Sequence, residues 1–149
     1  MIRKPLFSWQ DGEAICVLND GKKVFYGAAS CHPNDEDMMN EKTGCEIAMR
    51  RAELKYYRYC RDNLKERLAA LKQLYYTMNR SKYFNENSYE NKMLQRQIRM
   101  IELDLATVRE MIADGEQSLR TYITEKDKFY NKIRKNRKFE AANNEQSNS

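Results

Sequence analysis

Apolar residues recur at alternating steps of three and four over most of the chain. One seam runs Ile47, Arg50, Leu54, Tyr57, Arg61, Leu64, Leu68, Leu71, Tyr75, Met78, with Arg50 and Arg61 as its interruptions. A second runs Leu94, Ile98, Ile101, Leu105, Val108, Ile112, Gly115, Leu119, Tyr122, Lys126, Phe129, Ile133. Such spacing gathers one stripe on one face of an α-helix, as in a coiled coil. It predicts helix 1 over 44–79 and helix 2 over 88–138, the second on the order of 70 Å long at about 1.5 Å per residue. Thr43-Gly44-Cys45-Glu46 has the capping-box pattern, and Asn87-Ser88-Tyr89-Glu90 offers a second N-cap. The connector, 80–87, is short and polar, so the helices are expected to fold back antiparallel.

The first 43 residues follow another rule. Both prolines and four of the five glycines fall within the first 44 positions, where turn formers divide short segments. Gln10-Asp11-Gly12 and Asn19-Asp20-Gly21 separate Leu6–Trp9, Ala14–Leu18 and Val24–Cys31. The last two segments carry Ile15, Val17, Val24, Phe25 and Tyr26, which suit a pleated surface. Three antiparallel strands are expected over 1–43, with a two-residue Asp-Gly hairpin between the second and third. The fold class is thus α+β and mostly helical, a small N-terminal β-meander leading into a long antiparallel helical hairpin. The polar tail, 139–149, is expected to be disordered.

Composition narrows the class further. The chain has 149 residues, 41% hydrophobic and 33% charged, with a mean hydropathy of -0.93. It is too polar for an ordinary compact core and too rich in Leu, Ile, Tyr and Met for a disordered chain. No apolar run approaches the roughly 20 residues that span a bilayer, and the first residues lack a signal-peptide core. A cytoplasmic protein is expected, with no membrane partner. Cysteines at 16, 31, 45 and 60 form no C-x-x-C pair and read as reduced thiols. Met93, Met100 and Leu103 lie off the helix 2 seam and call for a partner: the meander, a second copy of the chain, or another protein. Of the last two, self-association has the higher base rate.

Charge is clustered. Between Arg120 and Lys138 lie eight basic residues against two acidic ones, a local net charge of +6 where the whole chain carries +5. An antiparallel hairpin would bring this end back toward the start of helix 1. The candidate binding residues are Arg50, Arg51, Lys55, Tyr56, Arg58, Tyr59, Lys128, Tyr130, Lys132, Arg134, Lys135, Arg137 and Lys138, near Lys22 and Lys23 of the expected hairpin turn. Basic side chains would neutralise a phosphate backbone, and interleaved tyrosines would stack. The competing account is that these residues solubilise a long helix and favour its C-terminal dipole.

Other chemistry is thinly represented. Cys31-His32-Pro33 with Asp35 and Asp37 invites a metal reading, but zinc needs about four ligands and there is no second paired motif. No phosphate-binding glycine loop occurs, and the single histidine leaves no further nucleophile–base pairing. A non-enzyme without metal, cofactor or small-molecule substrate is expected.

Gly27-Ala28-Ala29-Ser30-Cys31-His32-Pro33-Asn34-Asp35 followed by Thr43-Gly44-Cys45-Glu46-Ile47-Ala48-Met49-Arg50-Arg51-Ala52 resembles a pattern, G-x-A-x-C-x-P-x-D then T-G-x-x-[IL]-A-x-x-R-A. That pattern is similar to small uncharacterised proteins of bacteriophages and integrative elements. The stretch, about residues 14–55, is also reminiscent of the meander and helix of double-stranded-RNA-binding domains. It lacks their N-terminal helix, and their lysine cluster is reduced to Lys42, Arg50 and Arg51. The pattern's small residues would let a strand pack closely on a helix through Ile47, Ala48 and Ala52. The resemblance implies a phage or mobile-element accessory protein of the bacterial cytoplasm. Its expected partner is nucleic acid or a host nucleoprotein complex, with an anti-CRISPR-like inhibitory role. The alternative is a structural coiled-coil scaffold that forms homo-oligomers.

Overall fold

The computed structural model describes residues 2–30, 41–81, 85 and 87–147. Its elements are β1 (Leu6–Gln10), β2 (Glu13–Asn19), β3 (Val24–Ser30), α1 (Glu41–Asn79) and α2 (Tyr89–Ser147). The architecture is the expected one, α+β and mostly helical. It divides into two compact units, Met1–Ala52 with Glu116–Ser149, and Glu53–Gly115. The first is called the sheet unit below and the second the hairpin unit.

In the sheet unit the strands form an antiparallel sheet in the order β1-β2-β3. Leu6 lies opposite Val17 in β1–β2, and Cys16 opposite Gly27 in β2–β3. Alternation places Ala14, Cys16, Leu18, Phe25, Gly27 and Ala29 on the buried face, since successive side chains of a strand point to opposite sides. The two-residue turn occurs one hairpin earlier than expected. It joins β1 to β2 through Asp11 (φ 53°) and Gly12 (φ 77°), the left-handed pair that a type I′ turn requires. The β2–β3 connection is four residues long because side chains build it. Asn19 Oδ1 accepts the Gly21 amide at 2.7 Å, while Asp20 Oδ1 accepts those of Lys22 at 2.9 Å and Lys23 at 2.7 Å. Those bonds hold the Asp20 carboxyl below its ordinary range.

The sheet meets α1 through small residues. A methyl group at Gly27 would collide with the Ala48 carbonyl oxygen and come within 2.5 Å of the Ala52 amide. Gly44, Ala48 and Ala52 recur every fourth residue and are all buried, so they bring the helix backbone onto the strand. Among the described residues α1 begins at Glu41, two residues before the expected Thr43 cap, and Thr43 is buried inside the helix.

In the hairpin unit α1 and α2 run antiparallel. Leu54 packs at Gly115, Lys72 lies 3.4 Å from Glu102, and Gln95 donates to the Tyr75 hydroxyl at 3.2 Å. The start of α2 is capped by Ser88, whose Oγ accepts the Asn91 amide at 3.2 Å, one residue later than an Asn87 cap would be. The predicted seam is the buried one, with Leu54, Leu94, Ile101, Leu105 and Ile112 as its core. The cover is uneven: from Lys55 to Asn79 no residue of α1 is fully buried.

At the other end α2 continues through Ser147, over most of the stretch expected to be disordered. No glycine or proline follows Gly115, and Glu140, Ala141, Ala142, Glu145 and Gln146 include good helix formers. Polarity showed that this stretch has nothing to bury; it did not show that its backbone leaves the helix.

Candidate nucleic-acid interface

Arg50, Arg51, Lys128, Tyr130, Lys132, Arg134, Lys135, Arg137 and Lys138 belong to the sheet unit, whereas Lys55, Tyr56, Arg58 and Tyr59 belong to the hairpin unit. Within the sheet unit the two basic runs are separated. Arg50 pairs with Glu46 at 2.9 Å, donates to Ser118 Oγ, and lies with its guanidinium 5.0 Å from the Tyr122 ring centroid. It bridges the two helices, which accounts for an arginine in the seam. From Ser118 to the segment Lys128–Lys138 is a further 15 to 30 Å or so along α2 at about 1.5 Å per residue.

Arg51 is committed to the sheet. Its Nη1 donates to the Ala28 carbonyl at 2.7 Å, on the end strand of the sheet. Tyr130 is half-buried, and its hydroxyl is buried without a hydrogen-bond partner among the described residues. In the hairpin unit Lys55 and Arg58 are exposed. Tyr56 and Tyr59 are half-buried, and Tyr56 lies 6.0 Å from the Tyr57 ring, tilted at 54°. Arg134 donates to Asn131 Oδ1 at 2.7 Å. Lys22 and Lys23 remain in the β2–β3 turn, their amides held by Asp20.

One surface on α2 does combine charge with an aromatic group. At about 100° per residue, Lys128, Lys132, Lys135 and Phe139 fall within an arc of about 60°. All four are exposed, Phe139 by 68%, and the three lysines make no ion pair among the described residues. Lys138 borders the arc on one side, while Arg137 falls on the opposite face of the helix; both are exposed as well. Phe139 was missed because it lies one residue past the expected end of the helix. Its signal was its spacing, four residues after Lys135 and seven after Lys132. The helix dipole does not account for this charge, because the last turn of α2 holds no basic residue and the dipole acts mainly within that turn.

The Cys31, His32, Pro33, Asp35 and Asp37 cluster lies outside the described residues, as do half of the connector and the last two tail residues. Among the described residues no three His, Cys, Asp or Glu side chains come together as a metal site, and Cys45 and Cys60 are free thiols. Burial is the main cause that pushes the Cys45 thiol up, with Glu41 adding to it. No helix among the described residues is long and apolar enough to cross a membrane. No family model, curated protein or solved structure matches the chain.

Proposed function

We propose that the protein is a non-enzymatic binder of nucleic acid, which it engages by the phosphate backbone along the C-terminal part of α2. The observation that carries this reading is the exposed row Lys128, Lys132 and Lys135 with Phe139 beside it. Lysines at one-turn spacing neutralise successive phosphates, and an exposed ring gives an unstacked base a surface to lie on. Lys138 extends the field beside the row and Arg137 adds charge on the opposite face, while Arg50 and Arg51 are left to structural work. The phage or mobile-element resemblance adds a biological setting, in which the bound nucleic acid or its host nucleoprotein complex is blocked in counter-defence.

The test is fluorescence anisotropy of single- and double-stranded DNA and RNA against salt. Binding is expected to weaken steeply as salt rises. Changing Lys128, Lys132 and Lys135 to Glu should lower the slope of log affinity against log salt by about 2 to 3. No binding at low salt, or binding indifferent to the triple change, would sink the reading. A nuclease-resistant protein partner recovered from the host would redirect it to the nucleoprotein complex. A second reading, a coiled-coil scaffold, is favoured by exposed Leu74, Met100, Leu103 and Met111 in the hairpin unit. Apolar association of that kind hardly responds to salt.

A further inference from the structure

One face of the hairpin unit has a shape that the seam does not explain. An open groove of ≈ 480 Å³ lies there, lined by Arg67, Ala70 and Leu71 of α1 and by Gln97, Met100, Ile101 and Asp104 of α2. Met93, Met100 and Met111 share one line along α2 at about 100° per residue. Leu74 lies one turn beyond Ala70 on α1, and Leu74, Met100 and Met111 are all exposed. The face extends about 27 Å from Met93 to Met111 and is two helices wide. That is in the range of a standard interface, about 800 Å² per partner.

We infer that this face is a self-complementary dimer interface, occupied by the same face of a second copy of the chain. The antiparallel register within the hairpin unit places Arg67 level with Asp104, and Ala70 level with Met100. A two-fold axis parallel to the helices lays α1 of each copy over α2 of the other at the same level. Arg67 then faces Asp104 of the second copy, and the small Ala70 faces the long Met100. Each contact is made twice, as an isologous interface requires. Charge meets opposite charge and a hole meets a knob under one operation. Neither Arg67 nor Asp104 is ion-paired among the described residues of the chain, so both are available for this contact. The four helices form a bundle, which covers the α1 residues that the hairpin leaves half-exposed. The inference holds whether or not α2 binds nucleic acid.

Sedimentation of the full chain from about 1 to 100 µM tests it. A dimer is expected, and Met100→Glu should raise its dissociation constant at least about tenfold. Met100 is exposed, so helicity by circular dichroism should be unchanged. The deciding step mixes two variants. Arg67→Asp and Asp104→Arg should each weaken the homodimer by setting like charges face to face. Their equimolar mixture should recover a dimer made of one copy of each, which charges acting only within a chain cannot produce. A monomer across the range, a trimer or larger assembly, a dimer indifferent to Met100→Glu, or a mixture no tighter than its components would each overturn the inference.

Discussion

The sheet unit and the hairpin unit are held together in opposite ways. In the sheet unit, Gly27 lies against the backbone of Ala48 and Ala52, and the contact depends on the absence of side-chain atoms. Its core contains Ala14, Cys16, Ala29, Ala48 and Ala52, with Leu18 and Phe25 as the larger members. In the hairpin unit, Leu54, Leu94, Ile101, Leu105 and Ile112 fill the space, and the contact depends on flexible branched side chains. Close backbone approach tolerates no added volume, whereas a seam of rotatable side chains shifts to absorb it. The same mutation should therefore have different effects in the two units.

The largest effect is expected at Gly27. Gly27→Ala sets a methyl group against the carbonyl of Ala48 and the amide of Ala52, neither of which can move without the helix. Destabilisation of about 3 kcal/mol or more is expected in urea unfolding, the upper end of overpacking costs. A change below about 1 kcal/mol would mean that sheet and helix separate easily. Gly115→Ala makes the matching test in the hairpin unit. Its methyl group would approach Leu54 Cδ2 at 2.9 Å, the end of a side chain that can turn away. Removing a glycine from a helix interior is favourable by about 1 kcal/mol. The net change should be within about 1 kcal/mol of zero, of either sign, and a loss as large as that at Gly27 would erase the contrast.

The smallest expected effect belongs to the β2–β3 turn. The amides of Lys22 and, next, Lys23 hold the Asp20 carboxyl below its ordinary value of 3.8. A carboxyl whose pKa is lowered by folding supports the turn fully above its unfolded value. That support fades as pH falls through the lower, folded value. Amide resonances of Lys22 and Lys23 followed by NMR should titrate with a midpoint below 3.8, and Asp20→Ala should remove the transition. A midpoint at or above 3.8 would mean the two bonds are not formed in solution. Both bonds lie exposed in a surface turn, so little of the global stability should follow this titration.

What could be read without coordinates differs between the units for a related reason. The seams of both helices were legible except at Phe129, which is exposed by 57%, because a 3-4 repeat records which face is covered whatever covers it. In β2 the run Ala14–Leu18 is apolar throughout, so which face is buried, that of Ala14, Cys16 and Leu18, was not legible there. Helix ends were read less well: Thr43 looked like a cap and lies buried inside the helix, and the polar stretch after Lys138 looked unstructured and is helical. A capping pattern can also occur within a helix, and exposure does not distinguish a helix from a coil.

The candidate site divides along the same line. Sequence alone determined that positive charge concentrates toward the C-terminal end of α2, since charge is a property of residue type and order. Tertiary structure decided which of those charges is free to act. Arg50 is bound to Glu46, Ser118 and Tyr122, and Arg51 to the Ala28 carbonyl, by partners up to 68 positions away. Lys128, Lys132 and Lys135 stay exposed beside Phe139. Local order fixes periodicity and charge, because both are carried by neighbours along the chain. Whether a side chain is spent on the fold or left for a ligand depends on contacts across large sequence separations, which only the folded chain brings together.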